Sequence, residues 1–164
     1  MTGSLPELID PLEFVDKRKR IHGSLPLHRM ERLDGVILNP EGSVTLELSF
    51  GREDRYSVIS GYVQADLVLE CQCCLEPMAW AVFSDLRLGI VSSIDEGNRL
   101  PDSLEPFLQD SADPLISLPE LVEDELLLAI PAIPQHTTCV SVTKGSATGS
   151  GSSFSVLATL QNKP

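Results

Sequence analysis

Aromatic residues make up only 5% of this chain of 164 residues, and 12 Lys and Arg stand against 24 Asp and Glu. The shortage of positive charge leaves a formal net charge of -12. That balance opposes long-range attraction to phosphate backbones, so any nucleic-acid contact has to be local. Few aromatics also argue against a broad stacking platform for single-stranded RNA. Long apolar runs are missing: the longest, Leu126 to Ile133, is short and broken by Pro131. The first residues carry Glu7 and Asp10 and are interrupted by Pro6 and Pro11, which fits neither a secretory signal nor a membrane span. Four cysteines without an export signal point to a reducing compartment, so a cytoplasmic protein that does not engage the membrane is expected. Serines are abundant, yet neither a nucleophile elbow nor a phosphate-cradling glycine loop accompanies them, and no enzyme is expected.

What is present suffices for one domain with its own core, since 42% of the chain is hydrophobic. The expected organisation is a single α+β domain over 1–142, a Gly/Ser-rich flexible linker at 143–153 and a short C-terminal segment at 154–164. Asp10-Pro11-Leu12-Glu13 has the order of a helix start. A helix to about Lys17, an extended segment from Ile21 and one or two helical turns from Leu27 to Leu33 should follow. Val44, Leu46, Leu48 and Phe50 then alternate with polar residues, as in a half-buried strand. Tyr56 and Val58 begin a second strand on even positions, whereas Val63, Ala65, Leu67 and Leu69 continue on odd ones, which predicts a bulge near Gly61. Met78, Trp80, Val82, Leu86, Leu88 and Ile90 mark a third strand, with Ser84 as its polar interruption. Together these predict an antiparallel meander packed with a few short helices. The acidic stretch from Ser92 to Pro114 reads as a long surface loop. Ser117-Leu118-Pro119-Glu120 has capping-box order, and Leu118, Leu121, Val122, Leu126 and Leu128 predict one buried helical stripe, ended by Pro131 and Pro134.

Several of these landmarks fall in the order of a known family. The Cys71-Gln72-Cys73-Cys74 segment between two strands resembles the C-x-x-C signature of the YceD family, the large ribosomal RNA subunit accumulation proteins. The acidic helix from Val122 to Pro131 is similar to that family's, which also leads to a His or Cys pair, here His136 and Cys139. The Asp10-Pro11 helix, the extended segment Ile21 to Leu25 and Ser153-Phe154-Ser155-Val156-Leu157 add to the likeness. The resemblance implies a role in synthesis, processing or stability of large-subunit (23S) ribosomal RNA, with no known catalytic mechanism. This chain departs from the pattern in carrying the additional Cys73 and a short His136-Cys139 spacing.

Two residues between Cys71 and Cys74 let both thiolates approach one ion from a tight turn, and His136 with Cys139 could complete a tetrahedral site for one structural zinc ion. Cys73 offers an alternative ligand, and the other reading of all four thiols is that they are reduced, partly buried small hydrophobes. A redox C-x-x-C needs a depressed thiol pKa, commonly at a helix N-terminus, which the strand context does not supply. Lys17, Arg18, Lys19 and Arg20, with Arg29 and Arg32 nearby, collect positive charge that could position RNA phosphates or a partner, or simply form a solvated helix end. The acidic residues from Asp95 to Glu125 could meet a basic ribosome-assembly or RNA-processing protein. Three classes therefore stand open: a ribosome-biogenesis factor, a zinc-dependent interaction module with an indirect ribosomal role, and a thiol enzyme.

Overall fold

The computed structural model describes residues 5–110 and 112–139, so the expected linker and terminal segment lie outside the described residues. The elements in chain order are β1 (Leu8–Ile9), α1 (Pro11–Asp16), β2 (Arg20–Pro26), β3 (Ser43–Glu53), β4 (Tyr56–Glu70), β5 (Pro77–Val91), α2 (Ile94–Gly97), β6 (Glu105–Leu108), β7 (Ile116–Ser117) and α3 (Leu118–Ala129). Single turns of 3-10 helix cover Leu27–Arg29 and Glu31–Leu33. A five-stranded sheet has the order β2-β3-β4-β5-β6, and β1 pairs with β7 apart from it.

Strand alternation decides which side of this sheet is dry. Val44, Leu46 and Leu48 are wholly buried on β3, and Ile59, Val63, Ala65, Leu67 and Leu69 continue the same face on β4. Each fully buried aliphatic side chain contributes roughly 1.5–3 kcal/mol. The exposed ion pairs at the rim are worth about 0–1 kcal/mol each, so the inner face dominates. Helix α1 closes one end of it, where Phe14 meets Phe50 edge-on at 5.2 Å between ring centroids. Asp10 caps that helix by accepting from the Glu13 N–H at 3.1 Å, as its sequence order predicts.

The bulge expected near Gly61 is absent. Pairing runs unbroken from Val44 opposite Ala65 to Glu53 opposite Tyr56, and from Ser57 opposite Ile90 to Glu70 opposite Pro77. The apparent change of face has another cause. Val58 lies on the outer side, opposite Gly89, and Leu100 is so close that a Cβ on Gly89 would meet it at 2.9 Å. Gly61 instead permits close strand approach: at φ +156°, a Cβ there would lie 2.0 Å from the Glu47 carbonyl oxygen.

Three further expectations change. The stretch from Ser92 to Pro114 contains helix α2 and strand β6, which adds to the meander as a parallel edge beside β5. Leu104 and Gln109 are buried within it, so much of its acidic sequence surrounds ordered structure. On α3 the Ser117 hydroxyl accepts from the Glu120 N–H at 3.3 Å, and Leu118, Leu121, Val122 and Leu126 are buried. Leu128, however, is exposed, and the stripe includes Glu125 in its place. Ser84, the polar interruption of β5, donates to Glu125 Oε2 at 3.2 Å, which satisfies both groups under the helix. No helix among the described residues is long and apolar enough to cross a membrane.

Two outcomes follow. Gly61→Ala should lower stability by at least about 2 kcal/mol, read from the denaturant midpoint, because backbone rather than a movable side chain occupies the space. Burial, with the charges of Glu105 and Asp124, raises the Glu125 pKa against the lowering effect of Ser84. A raised carboxylate favours folding when protonated, and that contribution is lost as pH climbs through its folded value. Glu125→Gln should therefore gain stability over the native chain at neutral pH, and the two melting curves should converge below the ordinary glutamate range.

Candidate metal centre

Strand β4 ends at Glu70 and β5 resumes at Pro77, so Cys71 to Glu76 form the tip of a long hairpin. The Cys71 N–H donates to Glu76 O at 3.0 Å, and the Leu75 N–H to Cys71 O at 2.9 Å. Leu75 takes φ +62°, which reverses the chain into β5. The second half of the site comes from the segment beyond α3. Pro131 and Pro134 prevent the helix from continuing. The Gln72 N–H then donates to Pro134 O at 2.8 Å and holds this segment against the hairpin tip. A turn closed by the Cys139 N–H to His136 O at 3.2 Å presents His136 and Cys139.

Two turns with the same i, i+3 spacing thus face each other. The Sγ atoms of Cys71 and Cys139 are 3.8 Å apart, and Cys74 Sγ lies 3.4 Å from His136 Nδ1. All four donor atoms lie within 4.8 Å of one another, and the cluster could hold a metal ion. A tetrahedral zinc site with bonds of about 2.3 Å to sulfur and 2.0 Å to nitrogen needs S···S and S···N separations of roughly 3.8 and 3.5 Å. These two contacts match those values, so the residues fit such a group. Cys71 is buried and the other three are half-buried. Cys73 neighbours Cys139 but is not among the four clustered donors.

The electrostatics favour a cation. Burial pushes the Cys71 thiol up, but, contrary to the expectation from the strand context, the amide N–H groups of Cys74, His136 and Cys73, together with the Cys74 thiol, outweigh it and bring the pKa down to about 6. The hydrogen bond with Cys73, burial, and the thiols of Cys74 and Cys71 hold the Cys139 thiol well above its ordinary value. Thiols this close cannot all ionise while unneutralised, and a divalent ion removes that conflict.

The basic residues divide. Lys17 to Arg20 link α1 to β2, while Arg29 and Arg32 lie beyond the other end of β2, a strand roughly 20 Å long at about 3.3 Å per residue. Lys17 pairs with Glu13, and Lys19 lies over the Phe14 ring at 4.1 Å. Arg29 pairs with Glu7 at 2.9 Å. Arg32 is engaged structurally: its backbone N–H and Nε both donate to the buried Glu123, at 2.6 and 2.9 Å, and its Nη2 reaches Asp124 at 2.6 Å. Arg18 and Arg20 instead line an open groove with Ser49, Ser60 and Arg52, the last held by Asp16 at 2.8 Å. Arg52 was not singled out in sequence, because only the β2–β3 pairing brings it beside the α1–β2 link.

The chain is similar in sequence to known proteins. The profile described as "Large ribosomal RNA subunit accumulation protein YceD" matches residues 59–157, a range that takes in the hairpin tip, α3 and the second turn. A Haemophilus influenzae protein named Large ribosomal RNA subunit accumulation protein YceD is 32% identical over 135 residues, covering 82% of this chain and 77% of the relative. No solved structure matches the chain.

Leu75→Gly should leave stability unchanged or raise it by up to about 1 kcal/mol, since glycine adopts positive φ without the penalty a side chain incurs. Thermal unfolding with and without added metal checks this. Arg32→Ala should lower the melting temperature by leaving Glu123 buried with fewer donors, whereas Arg20→Ala should not change it.

Proposed function

The chain belongs to the YceD family of large ribosomal RNA subunit accumulation proteins, and from that premise we propose that it is a non-enzymatic cytoplasmic factor supporting synthesis, processing or stability of large-subunit ribosomal RNA. The observation that carries this reading is the match over most of the chain to a relative bearing that name. Its action is through ribosome-assembly or RNA-processing proteins, with direct contact to large-subunit RNA through Arg18 and Arg20 as the lesser route. The net charge of -12 supports that order, because it favours basic partners over phosphate.

In this reading Cys71, Cys74, His136 and Cys139 hold one structural zinc ion, supported by their mutual approach within 4.8 Å. The ion's contribution is a fixed positive charge that neutralises the thiolates. The chain supplies the rest: the Cys71 turn aims amide N–H groups at sulfur, and the Gln72–Pro134 hydrogen bond joins the two turns. Structural zinc binds small peptides with apparent free energies of roughly 10–16 kcal/mol. That is comparable with the net stability of a domain, about 5–15 kcal/mol, so such a staple would decide whether the tip is ordered. The same cluster favours a second reading, a zinc-dependent interaction module whose ribosomal effect is indirect.

Depleting the protein should lower large-subunit ribosomal RNA relative to small-subunit RNA, measured by quantitative blotting. Equal loss of both would count against the primary reading. Purified protein should carry about one zinc per chain by elemental analysis. Cys71→Ser with Cys74→Ser should abolish it and lower the melting temperature. If the double variant also restores normal ribosomal RNA in depleted cells, the metal is dispensable to the function.

A further inference from the structure

The helices α1 and α3 cover the inner face of the sheet, and Leu100 after α2 covers only the corner of the outer face at Gly89. Among the described residues, nothing else covers the middle of the outer face. There Phe83 of β5 is 62% exposed, and its ring stacks on that of Tyr62 from β4 at 5.5 Å between centroids and 20° between planes. Single exposed apolar side chains need no explanation. A stacked pair at the centre of an uncovered sheet is different, because it presents large, rigid, desolvation-ready area of the kind found at interface hot spots.

The surroundings of the pair select its ligand. Tyr62 lies between Glu47 on β3 and Asp85 on β5 in the cross-strand register, and both carboxylates are exposed. The Tyr62 hydroxyl reaches Glu47 Oε2 at 3.5 Å. A guanidinium group can lie flat on an aromatic ring while its N–H fork meets a flanking carboxylate. A phosphate in the same place would face two carboxylates. The cations on this face do not reverse the sign. Arg87 is held by Glu53, Arg20 lies one register row away, and His22 stands opposite Glu47 in the row of the two carboxylates.

We propose that the outer face around Tyr62 and Phe83, flanked by Glu47 and Asp85, docks an arginine-rich segment of a partner protein. This deepens the protein-mediated reading above by naming the surface and the chemistry of the partner, and it is independent of the metal cluster. None of its residues takes part in the inner-face core, so substitutions there should leave the fold intact.

The test uses the full chain and three probes: a labelled arginine-rich peptide, a lysine-rich peptide of equal length and charge, and a single-stranded RNA oligonucleotide. The arginine peptide should bind more tightly than the lysine peptide. Phe83→Ala should weaken it about tenfold, and Glu47→Gln with Asp85→Asn should do the same, with the cooperative fold retained and only a small drop in melting temperature for Phe83→Ala, from the lost ring stacking. Equal binding of both peptides with no effect of Phe83→Ala would reduce the surface to general charge attraction and overturn the proposal. RNA binding that is lost in Phe83→Ala would also overturn it, by making the face a nucleic-acid platform. Cells carrying Phe83→Ala separate the two levels. Peptide binding lost with normal ribosomal RNA keeps the surface and counts against the protein-mediated ribosomal reading.

Discussion

Burial of one face of the β3–β4–β5 sheet is the constraint from which the other features follow. Because side chains alternate with period two, Val44, Leu46 and Leu48 on β3 and Val63, Ala65 and Leu67 on β4 must share a side once the strands pair without a bulge. That single-sided register commits α1 and α3 to the same face. Trp80 and Ser84 on β5 then have to meet α3, and they do so through polar contacts: the indole N–H to Ala129 O at 3.3 Å, and the Ser84 hydroxyl to Glu125. A one-residue slip would turn these groups outward and leave Glu125 without its donor.

The placement of α3 has a chemical consequence at its C-terminus. The helix runs along the sheet toward the hairpin tip, and prolines stop it where the Cys71 turn begins. Five residues lie between Ile130 and His136, and they carry the chain to the tip. The hydrogen bond from Gln72 to Pro134 then fixes the approach. The thiol and imidazole donors converge because hydrophobic packing delivers both turns to one place, and their own attraction does not have to span the chain. Packing thus brings together donors separated by more than sixty residues along the chain. Loop-closure entropy grows only slowly with length, and the folded sheet and helix have already met that cost.

The opposite face of the sheet obeys no such closure. Its residues come from the intervening positions of the same strands, so the acidic and aromatic character of Glu47, Tyr62, Phe83 and Asp85 is a by-product of strand parity that packing does not constrain. One chain thus has a dry side that orders a cysteine and histidine cluster and a wet side free to carry recognition. The cationic residues follow the same division. Arg32 is consumed in satisfying Glu123, while Arg18 and Arg20 line the groove at the sheet edge.

Local sequence was sufficient for the α1 cap, the three long strands, the capping box of α3 and the pairs Cys71/Cys74 and His136/Cys139, because each is written in residues close together along the chain. It was insufficient wherever the deciding partner lies far away. The parallel strand β6 is four residues long and exists through its pairing with β5, which no internal pattern in Glu105–Leu108 announces. Gly61 looked like a bulge because its true reason, the Glu47 carbonyl, belongs to another strand. Leu128 fitted the helical stripe, yet it remains exposed, and Glu125 is buried because Ser84 stands beneath it. Periodicity along the chain therefore determined the three long strands and α3, with most of the side each buries. Only the tertiary register decided which distant groups share a site, since that depends on distances between elements and not on the spacing within them.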